Sequence, residues 1–182
     1  MKNEQSLGFQ QKLKLFSFLS ILVMFLLEVN GVDSQNNKAK EINYNDMNVS
    51  WKYEDKFLIF RMRSKSKGWM AIGFNETSEL KGTKLIMGAI TKDSVVVSER
   101  YIIEPGVHKS LTELGLKEEI QIQNYKEVNG IKEIEFKLPV ASKQKFSKNL
   151  TRGNKIHLLI AYSLENDFMH HSISRTSIPI EL

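Results

Sequence analysis

Residues 68–90, GWMAIGFNETSELKGTKLIMGAI, contain the pattern that decides the fold. Two apolar runs of strand length flank a polar loop, and successive side chains of a strand point to opposite faces. Trp69, Ala71 and Gly73 therefore share one face of the first run, and the larger apolar side chains between them share the other. The small residues leave space that either Trp69 fills or a ligand occupies, since glycine in a strand often marks the close approach of another group.

Similar apolar segments recur along the rest of the chain, separated by turn residues. They lie at 49–53, 56–63, 84–91, 94–103, 118–128, 131–140, 155–163 and 171–182. Asn129-Gly130 between two alternating runs is a strong hairpin signal, because both residues tolerate the positive φ angles of a tight turn. The pattern predicts an all-β fold, an antiparallel β-sandwich of about ten strands with immunoglobulin-like packing of two sheets. The predicted core consists of Trp51, Phe60, Trp69, Ile72, Phe74, Phe136, Leu159 and Ala161.

The first residues have the pattern of a secretory signal peptide. Lys2, Lys12 and Lys14 precede an uncharged apolar run at 15–27, which is shorter than the ~20 residues that a bilayer-spanning helix needs. We expect a signal peptide at 1–31, a flexible polar lead-in at 32–46 and one domain at 47–182. The alternative for the first segment is an uncleaved signal anchor.

Three glycosylation sequons agree with a route through the secretory pathway. Asn48, Asn75 and Asn149 each stand two residues before Ser or Thr, which is the acceptor pattern for N-linked glycans. The expected product is a glycoprotein that is secreted or resides in an organelle lumen.

Composition excludes several kinds of chemistry. The chain has no cysteine, so disulfides, zinc–thiolate sites, iron–sulfur clusters and thiol catalysis are ruled out. The net charge of +5 comes from scattered lysines without a basic run, which argues against nucleic acid as a partner. Because the carboxylates are dispersed and no catalytic motif is visible, a non-enzymatic role is favoured over catalysis.

The order of the motifs resembles that of the DOMON family, named after the N-terminal domain of dopamine β-monooxygenase. The resemblance covers about residues 47–182. It is carried by Trp51, FLIFRMR (57–63), GWMAIGFN (68–75), KGTKLIMGAI (81–90), VVVSERY (95–101), IEFKLPV (134–140), LLIAYS (158–163) and HHSISRTS (170–177). The resemblance implies a β-sandwich of about ten strands that binds haem b or sugars.

The resemblance also implies a set of site residues. The ligand-binding residues would be Trp69, Met70, Ala71, Gly73, Leu80, Gly82 and Arg175. In cytochrome-like members a Met and a His hold the haem iron. His171, or alternatively His170, matches the histidine, but Leu80 stands where the methionine is expected, and leucine has no donor atom. Met70 and Met169 are the remaining candidate sulfur ligands, although methionine more often fills core gaps.

Three functions follow from this resemblance. The first is a secreted module that binds haem b or another small apolar or sugar-like molecule. The second is an electron-transfer cytochrome, which would need a membrane or redox protein as partner. The third is a structural or interaction subunit that has kept the sandwich and lost haem binding.

Overall fold

Strands dominate the chain because β-branched and aromatic residues alternate with polar ones along most segments. The computed structural model describes residues 38–92 and 94–182, so the expected signal peptide and residues 32–37 of the lead-in lie outside it. The eleven strands are β1 Lys40–Tyr44, β2 Met47–Glu54, β3 Phe57–Ser64, β4 Met70–Asn75, β5 Lys84–Thr91, β6 Ser94–Glu104, β7 Val107–Ser110, β8 Gln121–Val128, β9 Ile131–Pro139, β10 Lys155–Tyr162 and β11 Ser174–Glu181.

The strands form two sheets in which every neighbouring pair is antiparallel. One sheet has five strands in the order β1-β2-β3-β9-β8, and the other has six in the order β11-β10-β4-β5-β6-β7. The predicted all-β sandwich of two antiparallel sheets is confirmed. The described residues contain no helix, and therefore none that could cross a membrane.

The hairpin between β8 and β9 turns at Asn129-Gly130, as the sequence predicts. Both residues have positive φ angles, 53° and 72°, which is the backbone conformation of a type I′ turn.

Two strands were not anticipated from the sequence. β1 lies inside the expected flexible lead-in, where it pairs with β2 at the edge of the five-stranded sheet. β7 has four residues and pairs with β6 at the edge of the six-stranded sheet. Edge strands expose much of their surface, so β1 and β7 lack the apolar alternation that marks a strand in the sequence.

Aromatic side chains fill the space between the two sheets. Phe60 of β3 lies 5.1 Å from Phe74 of β4 and 5.8 Å from Phe136 of β9, measured between ring centroids. All three are fully buried, as are Met62 and Met70 beside them. Distances of this size are typical of favourable aromatic packing.

The six-stranded sheet carries a second apolar layer on its outer face. This outer layer consists of Trp69, Ala71, Leu85, Met87, Ala89, Ile102, Leu159 and Ala161, all buried, with Leu80 and Phe168 packed against them. The residues predicted to form a single core are all buried but are divided between two layers, since Trp69, Leu159 and Ala161 lie in the outer one. β4 and β10 are thus covered on both sides.

Gly68 at the start of the quoted stretch joins the sheet to the segment that follows β10. Its amide donates to the Ser163 carbonyl at 3.1 Å, and the Trp69 amide donates to the Glu165 carbonyl at 3.0 Å. A Cβ atom at residue 68 would collide with the backbone of Ser163 and Glu165. Glycine is therefore required for the two backbones to approach so closely.

Candidate functional site

A cavity of about 100 Å³ lies in the outer layer of the six-stranded sheet. Its floor comes from Trp69 and from side chains of the three central strands β4, β5 and β10. These are Ala71, Leu85, Met87, Leu159 and Ala161. Its walls come from the loop after β4, the end of β6, the start of β7, the segment before β11 and β11 itself. They are Leu80, Ile102, Gly106, Val107, His108, Met169, His170, His171, Ser172 and Arg175.

Small side chains on adjacent strands make the floor deep. Ala71 of β4 is paired with Ala161 of β10 on one side and with Met87 of β5 on the other. Gly73 is in the same strand, but a Cβ there would stand 2.5 Å from Thr83 Cγ2, so its missing side chain makes room for Thr83. The cavity therefore lies above the alanines and not above the glycine.

Hydrogen bonds from Asn75 fix the β4–β5 loop, and this loop places Leu80 in the wall of the cavity. Asn75 is 7% exposed, and its Nδ2 donates to the carbonyls of Glu79 at 2.8 Å and Lys81 at 3.1 Å. Gly82 then turns with φ of 85°, and its amide donates to the Ile102 carbonyl at 2.9 Å. Positive φ is readily adopted by glycine, so Gly82 shapes the loop without lining the cavity.

Hydrogen bonds to the end of β10 and within the segment itself hold the opposite wall, 164–173. Ser163 Oγ donates to the His171 carbonyl at 3.0 Å, and the Ile173 amide donates to the Tyr162 carbonyl at 2.9 Å. The Met169 amide donates to Asp167 Oδ1 at 2.9 Å. These bonds bring Met169, His170 and His171 to the mouth of the cavity.

His108 is a wall residue that the sequence analysis did not place in the site. Its Nδ1 accepts a hydrogen bond from Arg100 Nε at 2.7 Å. Burial and the neighbouring Arg100 guanidinium lower the pKa of His108, against a hydrogen bond with the Phe168 backbone and the charge of Glu113, which raise it. The imidazole is thus held neutral and joins β7 to the 164–173 segment.

The Trp69 indole provides a polar atom without a partner. Trp69 is 4% exposed and lines the cavity, and its buried Nε1 makes no hydrogen bond to any described residue. A buried donor without an acceptor costs about 1–3 kcal/mol.

The structure brings together most of the site residues predicted from the sequence. Trp69, Ala71, Leu80, His170, His171 and Arg175 line one cavity, and so does Met169. Met70 lies on the other face of β4, fully buried in the core between the sheets, because neighbouring strand residues point in opposite directions. Gly73 and Gly82 lie beside the cavity without lining it.

Met87 is another lining residue that the sequence analysis did not assign to the site. It is 1% exposed and belongs to the floor. Strand alternation was the available signal, because Leu85, Met87 and Ala89 share a face of β5, and the pairing of Met87 with Ala71 fixes which face it is.

The three sequons have different surroundings. Asn149 is exposed, and its Oδ1 accepts bonds from the amide and the hydroxyl of Thr151 at 3.1 and 2.8 Å. Asn48 is partly buried on β2, with its Nδ2 bonded to Glu41 and Asn43. Asn75 is buried and both of its amide protons are used within the β4–β5 loop.

The enclosed volume of the cavity is small for haem b, and one of the two expected iron ligands is absent. Leu80 and His171 line the same cavity, but the leucine supplies no donor atom. Ligand pockets usually have volumes of about 300–1,000 Å³, and an apolar cavity of roughly 150 Å³ holds one benzene ring. The volume of about 100 Å³ is therefore on the scale of a single ring and not of a macrocycle.

Comparison with known proteins places the chain in a family. A model of the DOMON domain matches residues 43–163, a range that ends before the histidines at the cavity mouth. The fold is similar to the cytochrome b domain of pyranose dehydrogenase from Coprinopsis cinerea, with a TM-score of 0.58 and 12% identity over 79% of this chain and 81% of that one. It is also similar to the cytochrome domain of Myriococcum thermophilum cellobiose dehydrogenase, with a TM-score of 0.58 and 9% identity over the same shares of the two chains. A search of curated protein sequences gives no significant match. On the strength of the family match, which spans most of the sandwich, the chain belongs to the DOMON domain family.

Proposed function

We propose that this chain is a ligand-binding DOMON module, and not a catalyst, that holds a small apolar molecule against the outer face of its six-stranded sheet. The observation that carries the proposal is the cavity itself, with an apolar floor on three central strands and a mouth bordered by polar side chains. Concave apolar sites with a few converging polar groups are the usual form of small-molecule sites.

The outer face of the five-stranded sheet is charged, in contrast to the apolar outer face of the six-stranded sheet. There, β3 and β9 present cross-strand ion pairs, with Arg61 Nη2 2.6 Å from Glu135 Oε2 and Arg63 Nε 3.1 Å from Glu133 Oε2. Such a charged face is what an antiparallel sheet normally shows to water. The apolar face of the six-stranded sheet therefore has a different role from ordinary solvent contact.

The proposal is tested by filling the cavity. Ala161→Leu adds volume to the floor, whereas Ala141→Leu adds the same atoms at an exposed position outside the cavity. Thermal unfolding is measured with and without neutral single-ring probes such as toluene and indole. We expect the probes to raise the Tm of the wild type and of Ala141→Leu but not that of Ala161→Leu. Equal shifts in all three proteins, or no shift in any, would contradict the proposal.

Haem b is the second candidate ligand, and two observations favour it. The positions of Leu80 and His171 border one cavity, and two proteins of similar fold are cytochrome domains of dehydrogenases. If haem were bound, the module would be an electron-transfer protein that needs a redox or membrane partner. Haemin titration followed by visible absorbance separates the two candidates. A spectrum without a Soret band, together with failure of the ring probes, would leave the structural or interaction subunit.

We further propose the secretory pathway as the location, with cleavage of a signal peptide at 1–31. The three sequons support this location, and the different burial of their asparagines allows a specific test. Expression in a glycosylating host should place a glycan on Asn149, whose side-chain nitrogen is exposed, and not on Asn75, which is buried in its loop. Peptide mapping after endoglycosidase treatment identifies the modified asparagine. Recovery of the full-length, unmodified chain from the cytosol would contradict the proposal.

A further inference from the structure

The ionisable side chains that line the cavity are all basic residues. Arg175 and the three histidines His108, His170 and His171 line it, and no aspartate or glutamate does. Among residues 38–92 and 94–182, no carboxylate pairs with the Arg175 guanidinium.

Two carboxylates on the neighbouring segments are engaged elsewhere. Glu104 of β6 pairs with Lys81 at 3.1 Å, and Asp167 accepts the Met169 amide within its own segment. The mouth of the cavity therefore presents an arginine without a counter-charge among the described residues. Guanidinium groups bind carboxylates through paired, charge-assisted hydrogen bonds.

The interior of the cavity is apolar. Its floor consists of apolar side chains, of which Ala71 and Ala161 leave the most room. The unpartnered Nε1 of Trp69 is completely buried, so a molecule in the cavity does not reach it.

From these features, and resting on the proposed function, we propose that the ligand is a small ring-containing carboxylic acid. The ring lies on the alanines of the floor, and Arg175 binds the carboxylate at the mouth. A sugar is disfavoured because an apolar floor would leave most of its hydroxyls without partners. A cation is disfavoured because it would approach Arg175, a like charge.

Matched probes test the inference on the full domain. Calorimetric titration compares 4-hydroxybenzoate, its neutral amide 4-hydroxybenzamide, and benzoate, which lacks the ring oxygen. We expect the hydroxy acid to bind about tenfold or more tightly than the amide, consistent with a charge-assisted contact. Arg175→Gln should reduce the affinity for the acid to that for the amide and leave the amide unchanged.

Arg61→Gln is the matched control, because Arg61 carries the same charge on the outer face of the other sheet, and it should bind all three probes like the wild type. If acid and amide bind equally, or if Arg175→Gln has no effect, the carboxylic-acid inference is wrong. Binding of the probes would still support a ligand site in the cavity. If no acid, amide or neutral ring probe binds the wild type, the proposed function falls with it. A hydroxy acid that discriminates but responds equally to both arginine variants would overturn the assignment of Arg175.

Discussion

At the scale of single residues, Asn75 has a structural role that its sequon does not indicate. The sequon predicts a glycan there, and the structure buries Asn75 and uses its amide to close the β4–β5 loop. Asparagine suits this position because its side chain can donate to two carbonyl groups at once. The sequon that begins at Asn149 forms an exposed turn.

The first prediction concerns the stability that Asn75 supplies. Asn75→Ala should lower the free energy of unfolding by about 1–3 kcal/mol, because two part-buried hydrogen bonds worth about 0.5–1.5 kcal/mol each are lost. Urea unfolding measures the difference. Asn149→Ala serves as the control and should stay within about 0.5 kcal/mol of the wild type. Equal effects of the two substitutions would show that the Asn75 bonds do not stabilise the loop.

The second prediction concerns the missing sulfur ligand. Leu80→Met is close to isosteric and should cost under about 1.5 kcal/mol. Because the cavity is on the scale of one ring, we expect neither the wild type nor Leu80→Met to show a Soret band when titrated with haemin. A sharp low-spin spectrum from Leu80→Met, lost in Leu80→Met/His171→Ala but kept in Leu80→Met/His170→Ala, would instead make haem b the ligand and His171 its partner residue.

At the scale of secondary-structure elements, a buried ion pair ties the long β7–β8 connection to the six-stranded sheet. Lys84 Nζ lies 2.8 Å from Glu99 Oε2, and both side chains are almost completely buried. Glu99 Oε1 also accepts the backbone amides of Glu119 and Ile120. One carboxylate on β6 thus holds the chain where it leaves one sheet for the other.

The third prediction follows from that arrangement. Glu99→Ala should destabilise the protein by about 3–5 kcal/mol, because the buried Lys84 would lose its near counter-charge and keep only Glu119, at 3.9 Å. Glu104→Ala, at the exposed end of the same strand, should change stability by no more than about 0.5 kcal/mol. Chemical denaturation of both variants checks the contrast. A loss below 1 kcal/mol for Glu99→Ala (roughly the value of an exposed pair) would mean that water reaches the lysine.

The fourth prediction is a pH dependence that arises at His108, which links β7 to the 164–173 segment. Its pKa is lowered from the ordinary value of 6.5 in the folded state, so the unfolded chain binds the proton more readily. The stability due to the neutral imidazole is complete above pH 6.5 and declines as the pH falls through the lower folded pKa.

The free energy of unfolding, measured between pH 7.5 and 5, should therefore fall more steeply in the wild type than in His108→Gln. His170→Gln is the control, because His170 is exposed at the cavity mouth, and it should keep the wild-type slope. Parallel profiles for the wild type and His108→Gln would exclude His108 as the origin.

The strands and the cavity were predictable to different degrees. Alternation, together with the turn at Asn129-Gly130, predicts every central strand, because those strands bury at least one face. It does not predict β1 and β7, which have only five and four residues. Seven of the residues predicted for the site line the cavity, but Met87 and His108 enter it through strand register and a side-chain bond to Arg100. Such long-range pairings are not encoded in any local pattern.

At the scale of the whole molecule, the protein has two apolar layers, one between the two sheets and one on the outer face of the six-stranded sheet. The layer between the sheets contains Phe60, Phe74 and Phe136 in mutual contact. The outer layer is covered by the β4–β5 loop, β7 and the 164–173 segment. We expect the first layer to supply most of the folding stability, and we propose that the second determines what the folded chain binds.

The fifth prediction separates the two layers. Phe60→Ala should cost about 3–5 kcal/mol, because it opens a cavity at the centre of the sandwich. Leu80→Ala, in the covering loop, should cost less, because its side chain is only partly buried. Thermal unfolding followed by circular dichroism measures both, and the wild-type spectrum should be that of a β protein. Similar losses for the two variants would show that the layers unfold as one unit.

The burial of β4 and β10 on both sides has a consequence for how a guest could enter. If the covering loops lift by local opening, only contacts in the outer layer need to break, and the hydrogen bonds between β4 and β10 stay intact. Amide hydrogens of the covering segments should then exchange with deuterium long before those of the two central strands. The six-stranded sheet would then stay intact while small molecules enter and leave on its outer face, so the packing between the two sheets would not change.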